Sequence, residues 1–354
     1  MRGLPILWIL CASLSACAPL RQVRSVTLLE PADTLAITAA DGGELVLHHY
    51  PPLGEPISGV PVLVCHGIAS NHHTWALGPD RDFGAHLAAA GFDTYLVDLR
   101  GHGASPPAAA STSVDTYAIY DLPAAVDAVR DVTGAEQVAW IGHSMGGLVL
   151  VAHLARGNDP HLAAAVTVGS PVDWRGDDQL TRLIRALLRV LSGPLPARNL
   201  SAFYAQWEGH IPHHLDRVVY EPANMERWAL ADMMRVGVSP IQDGVRRQFA
   251  ATIEAGSFVS ADGTLDYMDA APSITLPFLV VAGRADHLSP PERTLPFFEA
   301  LGSQDKSWRV FGRDQGDAAD YGHVDLCNGD HAAEDVYPYI TTWLLERLAG
   351  SPDG

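Results

Sequence analysis

The sequence of 354 residues predicts an α/β protein: a mostly parallel central sheet with helices on both faces and a helical cap insertion. Short apolar strands alternate with helices along most of the chain, which favours a parallel sheet covered on both sides. A Gly-x-Ser-x-Gly pattern at residues 142–146 falls between a predicted strand and a predicted helix. Residues 170–272 interrupt the alternation and are mostly helical in pattern, as expected of a cap over the ligand-binding edge of such a sheet.

The elements follow from runs of apolar residues and from their period. The predicted strands are Val26–Leu29, Leu35–Thr38, Leu45–His49, Pro61–Cys65, Thr94–Val97, Gln137–Ile141, Ala163–Val168, Pro277–Ala282 and Trp308–Phe311. The predicted helices are Phe83–Ala90, Tyr117–Val132, Gly147–Leu154, Leu295–Leu301 and Val336–Leu348, with an amphipathic helix at Leu180–Leu191 in the cap. The first strands read as antiparallel. The core domain is expected to comprise residues 25–169 and 273–354, with the cap inserted between these two parts.

The N-terminus has the features of a bacterial targeting segment. Arg2 precedes a short apolar run, Leu4–Leu14, which is too short to span a bilayer. The following Leu-Ser-Ala-Cys resembles a lipobox, in which the signal is cut before the cysteine and the cysteine is lipidated. We therefore expect residues 1–16 to be a lipoprotein signal peptide and Cys17 to carry the lipid.

In this interpretation residues 17–24 are a tether, and the protein is lipid-anchored in the bacterial cell envelope. Ala18 replaces the aspartate typical of inner-membrane retention, which favours the periplasmic side of the outer membrane. A cleaved, secreted protein and an uncleaved anchor are the alternatives.

The charge of the chain argues against nucleic acid as a partner. The formal net charge is −18, whereas the nucleic-acid backbone requires Lys and Arg.

The cysteines and histidines give no sign of a metal site. With one cysteine in the signal and Cys17 lipidated, Cys65 and Cys327 remain, either as a disulfide or as two independent buried thiols. No cysteine spacing indicates zinc, and the His210-x-x-His213 pair contains Pro212 and lacks helical register. No metal or cofactor is predicted.

Ser144 is the predicted nucleophile. A serine on a sharp turn from strand to helix is held in a strained conformation that exposes its hydroxyl, and Gly142 and Gly146 let that turn close. The free N–H groups at the start of the next helix face any negative charge that develops there. An idle serine in a tight turn is the alternative.

The serine needs a base, normally a histidine. His323 follows the last predicted strand, and the C-terminal ends of parallel strands share one edge of the sheet with Ser144. His323 is therefore the predicted general base. His331, nearby in sequence, is the main rival, and a histidine in a surface loop is the alternative.

The base needs an orienting carboxylate, which should precede it in the chain. Asp286 follows a predicted strand directly and is the predicted partner. Asp173, after the preceding strand, is a plausible substitute. Asp325 is only two residues from the histidine, so it is expected to be a local structural partner.

An oxyanion hole needs two backbone N–H donors. Met145 follows the nucleophile and should supply one. The loop after the Pro61–Cys65 strand should supply the other: His66 and Gly67 are supporting residues, Gly67 permits close approach, and Ile68 is the predicted donor. The segment from Asp98 to Gly103 is expected to be a turn braced by hydrogen bonds of Asp98 and Arg100.

Together these motifs resemble the α/β-hydrolase superfamily. They are His66-Gly67, Asp98-Leu99-Arg100-Gly101-His102-Gly103, Gly142-His143-Ser144-Met145-Gly146, Asp286 and Gly322-His323. The segments around His66 and His323 are similar to acid lipases and to polyhydroxyalkanoate synthases. The synthases use a cysteine where this chain has Ser144, and the dehalogenases and epoxide hydrolases of this superfamily use an aspartate there. None of these three activities is therefore expected.

The resemblance implies hydrolysis of an ester through an acyl-serine intermediate. The leucine-rich, aromatic cap suggests a small-molecule or lipid ester with an apolar acyl chain. An acyltransferase using the same triad and a non-catalytic binding lipoprotein on a hydrolase scaffold are the competing hypotheses.

Overall fold

The computed structural model describes residues 31–176 and 216–349, with isolated positions between them. Several predictions fall outside this part of the chain: the signal peptide 1–16, Cys17, the tether 17–24, the strand Val26–Leu29, most of the helix Leu180–Leu191, and the pair His210 and His213. They stay predictions. No helix within the described residues is both long and apolar enough to cross a bilayer.

The central sheet has eight strands within the described residues, in the order β1-β2-β4-β3-β5-β6-β7-β8. They are β1 Asp33–Thr38, β2 Glu44–Tyr50, β3 Val62–Cys65, β4 Thr94–Asp98, β5 Val138–His143, β6 Leu162–Val168, β7 Phe278–Gly283 and β8 Lys306–Phe311. The β1–β2 and β2–β4 pairs are antiparallel, and the strands from β4 to β8 are parallel. The predicted fold class is confirmed.

The described α-helices lie between and after these strands. They are α1 Phe83–Ala89, α2 Val114–Thr116, α3 Leu122–Thr133, α4 Met145–Leu154, α5 Arg227–Val236, α6 Asp243–Ala255, α7 Tyr267–Ala270, α8 Pro291–Ala300, α9 Asp325–Asn328 and α10 Ala332–Leu348. The helix predicted over Tyr117–Val132 is longer in the structure. It begins with α2 at Val114, continues through a π-helical turn at Tyr117–Asp121 and ends with α3 at Thr133. Helix α8 begins at Pro291 rather than Leu295, since proline suits the first helical turn, where its missing N–H needs no partner.

The sheet is buried on both faces. In β3, Leu63 and Cys65 belong to one apolar cluster, whereas Val62 and Val64 belong to another, as the alternation of side chains along a strand requires. Helices α3, α4 and α8 pack on the first face, and α1 and α10 pack on the second. This two-sided cover fixes the strands as a rigid base for the loops at their C-terminal ends.

Residues 169–277, between β6 and β7, form an insertion that adds no strand to the central sheet within the described residues. Its described part includes the α-helices α5, α6 and α7 and short 3-10 helices at Asp216–Val218, Pro222–Asn224 and Ala271–Ser273. It meets the core at the C-terminal edge of the parallel strands: Val238 bridges to Ser70 in the loop after β3. The insertion is therefore placed to line any site at that edge.

Candidate active site

Ser144 lies between the last residue of β5 and the first residue of α4. Its backbone has φ 50° and ψ −114°, a conformation that a residue with a side chain adopts at a cost of about 1–3 kcal/mol. The flanking glycines are required by space: a Cβ on Gly142 would lie 2.3 Å from the main chain of Gly146, and one on Gly146 would lie 2.6 Å from the carbonyl oxygen of His66. The turn therefore holds the serine in one strained orientation.

His323 and Asp286 form a buried pair. The Nδ1 atom of His323 lies 2.8 Å from Oδ2 of Asp286, and both side chains are nearly inaccessible to solvent. The other carboxylate oxygen, Oδ1, accepts the backbone N–H groups of Leu288 and Ser289 at 2.8 Å each. With Nδ1 engaged by the carboxylate, Nε2 is the ring nitrogen left for another partner.

A cavity of about 150 Å³ brings Ser144 and His323 together with the predicted oxyanion loop. Its lining is mainly apolar and comes largely from the insertion. The lining residues are Ile68, Ser144, Pro171, Trp174, Ile184, Ile241, Arg246, Phe249, Ile253, Leu288 and His323. The one charged side chain among them, Arg246, pairs with Asp243 at 2.7 Å. The arrangement suits an apolar group placed against the hydroxyl and the imidazole.

The rival residues lie elsewhere. His331 is at the exposed start of α10, where its ring contacts Glu334 at 3.0 Å. The carboxylate of Asp173 pairs with the guanidinium of Arg175. Asp325 accepts hydrogen bonds from the backbone N–H groups of Glu221 in the insertion and of Gly322 in its own loop, as expected of a structural partner.

The two predicted oxyanion donors are available. Within the described residues, the backbone N–H groups of Met145 and Ile68 have no hydrogen-bond acceptor. Met145 is the first residue of α4, so its N–H belongs to the unsatisfied donors of a helix start. Ile68 lines the cavity, and Met145 directly follows Ser144. Gly67, the residue before Ile68, packs against the serine: a Cβ on Gly67 would lie 3.2 Å from the Ser144 Cβ.

The His66 side chain fixes the peptide that carries the Ile68 N–H. Leu99 donates its N–H to Nε2 of His66 at 3.2 Å, so the ring proton resides on Nδ1, which donates to the Gly67 carbonyl oxygen at 2.8 Å. Burial lowers the pKa of His66 to about 3 and keeps the ring neutral. Because the peptide is trans, the Ile68 N–H points opposite to the Gly67 carbonyl that His66 holds.

His143 is a residue whose role the sequence analysis missed. Its Nε2–H donates to the carbonyl oxygen of His323 at 3.1 Å, and the two ring centroids are 4.8 Å apart. Burial holds the pKa of His143 well below its usual range, so it stays neutral. A polar residue at the end of a buried strand, directly before the predicted nucleophile, was the available signal.

A second cluster of polar residues lies beside the loop after β4. His48 Nε2 and His72 Nδ1 each lie 2.9 Å from Oδ2 of Asp98, and together these three residues have the residue types of a metal site. However, the same carboxylate also accepts the N–H groups of His72 and Ala104. A hydrogen-bond network that braces the turn accounts for this arrangement, as expected for Asp98.

Arg100 also braces this turn, as expected: its guanidinium pairs with Asp41 and Asp121 and so ties the turn to β1–β2 and to the helical segment before α3. Cys65 and Cys327 are two free, buried thiols rather than a disulfide. Burial raises the pKa of both thiols well above the usual range, so neither is a reactive thiolate.

Comparison with known proteins agrees with this architecture. The family described as the alpha/beta hydrolase fold matches residues 60–326, so the chain belongs to the α/β-hydrolase family. It is 25% identical over 331 residues to the poly(3-hydroxyalkanoate) polymerase subunit PhaC of Haloferax mediterranei, covering 88% of this chain and 63% of that protein. It is also 32% identical over 171 residues to lipase lipl-3 of Caenorhabditis elegans, 41% of either chain.

Among solved structures, a thermophilic esterase from Thermogutta terrifontis superposes with a TM-score of 0.61 at 20% identity, covering 90% of this chain and all of that one. At this identity the likeness shows the fold alone. The chain spans less than two thirds of the length of the polymerase subunit and of the lipase. The predicted similarity to lipases and to polyhydroxyalkanoate synthases is confirmed.

Proposed function

We propose that this protein is a serine hydrolase that cleaves carboxylic esters, with Ser144, His323 and Asp286 as its catalytic triad. The observation that carries the proposal is that His323, which is paired with buried Asp286, lines the same cavity as the strained Ser144. The chain order supports it further: the three residues follow one another in the order Ser, Asp, His that is typical of this family.

In the proposed mechanism, His323 Nε2 accepts the proton of the Ser144 hydroxyl while Oγ attacks the ester carbon. The N–H groups of Met145 and Ile68 donate to the oxyanion, and each such donor is worth about 3 kcal/mol of transition-state stabilisation. Asp286 holds the imidazole through Nδ1 and stabilises its charged form. His323 then protonates the leaving alcohol, and water releases the acyl group by the same steps.

The lining of the cavity supports an ester with an apolar acyl group, because aliphatic and aromatic side chains of the insertion surround Ser144. The similarity to a poly(3-hydroxyalkanoate) polymerase subunit favours one second candidate, acyl transfer from the same acyl-serine to an alcohol. The two differ only in which nucleophile, water or alcohol, reaches the intermediate.

The test is a panel of p-nitrophenyl esters of increasing acyl length, assayed on protein lacking residues 1–17, with and without an added alcohol. We expect burst release of nitrophenol and covalent labelling of Ser144 by a fluorophosphonate. Ser144→Ala should abolish labelling and lower the rate by about 10⁶-fold. Efficient hydrolysis by that variant would overturn the proposal, and ester products with the added alcohol would favour the transferase.

A further inference from the structure

The segment of the insertion that precedes α5 is bound directly to the loop that carries His323. Val324 donates its N–H to the carbonyl oxygen of Val219 at 3.0 Å, and Glu221 donates its N–H to Oδ1 of Asp325 at 3.2 Å. Gly322, the residue before His323, is packed so closely against the insertion that a Cβ there would lie 2.6 Å from the Glu221 nitrogen. The two main chains are in direct contact on either side of His323.

Asn224 is the central polar contact of this interface. Its Nδ2 donates both to the carbonyl oxygen of Asp320 and, at 2.8 Å, to Oδ2 of Asp325. It therefore binds the loop on both sides of His323, at Asp320 and at Asp325. Asn224 is only 3% exposed, and its bond to Asp325 is buried, so this bond is shielded from water.

A small apolar cluster surrounds these bonds. Tyr220, Met225 and Leu230 of the insertion are buried against Val324, the residue directly after His323. The cluster is separate from the two clusters that cover the sheet. Burial of these side chains stabilises the contact between insertion and loop independently of the main core.

We infer that residues 219–224 of the insertion act as a clamp, with Asn224 at its centre, that positions the His323 loop for catalysis. His143 holds the main chain of His323 from the side of the sheet, and the clamp holds the same loop from the side of the insertion. Asn224 does not line the cavity, so it is a positioning residue. The effect of Asn224 on catalysis rests on the function proposed above.

The first experiment compares Asn224→Ala with Gln248→Ala. Gln248 is a matched control: it is a buried amide of the insertion whose Nε2 donates to Oδ1 of Asp115 at 2.8 Å and to the carbonyl oxygen of Val259 at 3.0 Å, and neither partner belongs to the His323 loop. For a p-nitrophenyl ester we expect Asn224→Ala to lower kcat about 10-fold with KM within about 2-fold, because a shifted base impairs chemistry and not substrate binding. Gln248→Ala should keep kcat within about 2-fold.

Hydrogen exchange measured by mass spectrometry supplies a readout that does not need activity. In Asn224→Ala, amide exchange in residues 320–328 should accelerate, whereas in Gln248→Ala the increase should fall in the segments around Asp115 and Val259. A second variant, Gly322→Ala, pushes the same two main chains apart and should reproduce both the exchange pattern and the lower kcat.

Equal kcat in Asn224→Ala and Gln248→Ala, or unchanged exchange in residues 320–328, would overturn the clamp. Failure of the wild-type protein to hydrolyse any ester would instead overturn the proposed function. The exchange experiment would then still decide whether Asn224 holds the loop.

Discussion

The Nε2 atom of His143 lies 3.1 Å from the carbonyl oxygen of His323, so the residue before Ser144 holds the main chain of the histidine that follows β8. The turn between β5 and α4 therefore places the Ser144 hydroxyl and, through His143, supports the main chain that carries the His323 imidazole. The relationship connects two strands, β5 and β8, that are not neighbours in the sheet, since β6 and β7 lie between them. Rotation of the His323 loop away from Ser144 would require breaking this bond.

The choice of carboxylate gives the first prediction. Asp286→Asn should lower kcat/KM for an ester by about 10⁴-fold, because the amide no longer favours the required tautomer of His323 or stabilises its charged form. Asp173→Asn is the matched control: it removes a buried carboxylate after the adjacent strand, which contacts Arg175 instead, and should change kcat/KM by less than about 3-fold. A larger loss in Asp173→Asn than in Asp286→Asn would contradict the assignment.

Gly67 gives a prediction about the oxyanion loop. A Cβ at this position would lie 2.9 Å from Nδ1 of His143 and 3.2 Å from the Ser144 Cβ, so Gly67→Ala must displace the loop that carries Ile68. We expect kcat to fall by about 10²-fold or more. Gly59→Ala, whose added Cβ meets no atom within 4 Å, should keep the wild-type rate. Equal rates for the two variants would show that the loop tolerates the displacement.

The buried carboxyl of Asp325 gives a prediction about pH. Its pKa is raised to about 6, chiefly because burial disfavours the charged form, although Asn224 and backbone N–H groups oppose the shift. From about pH 4 to 6 the folded protein binds more protons here than the unfolded chain, so the stability contributed by Asp325 falls as pH rises.

Urea unfolding of wild type and Asp325→Asn across this range is the measurement. The wild-type free energy of unfolding, relative to the variant, should decrease by on the order of 1–3 kcal/mol between pH 4 and 6 and then level off. A difference that does not change with pH would contradict the prediction.

The N-terminal cysteine gives a prediction about anchorage. We expect the full chain, expressed in a bacterium that processes lipoproteins, to begin at Cys17 and to fractionate with membranes. Cys17→Ser should block processing and incorporation of labelled fatty acid. Cys11→Ser lies within the same predicted signal peptide and should leave both unchanged, so equal labelling of the two variants would rule out lipidation at Cys17.

Local sequence alone predicted the eight strands of the described sheet, the position of Ser144 on a turn and the need for glycine at residues 142 and 146. These features depend on neighbours within a few positions: apolar period, helix start and the space beside a tight turn. The alternation of strands and helices then predicted the parallel sheet, and with it the edge on which Ser144 and His323 meet. This much follows because parallel strands end at a common edge.

Tertiary structure decided the rest. Asp173 and Asp286 both follow strand ends, and only the paths of their loops determine that Asp286 reaches His323 while Asp173 meets Arg175. The position of His143 could single it out, but the partners of His143 and Asn224 in the His323 loop could not be read from local sequence, because each contact joins residues about a hundred or more positions apart. Such pairings depend on how the insertion and the sheet edge pack together, which no short window of sequence encodes.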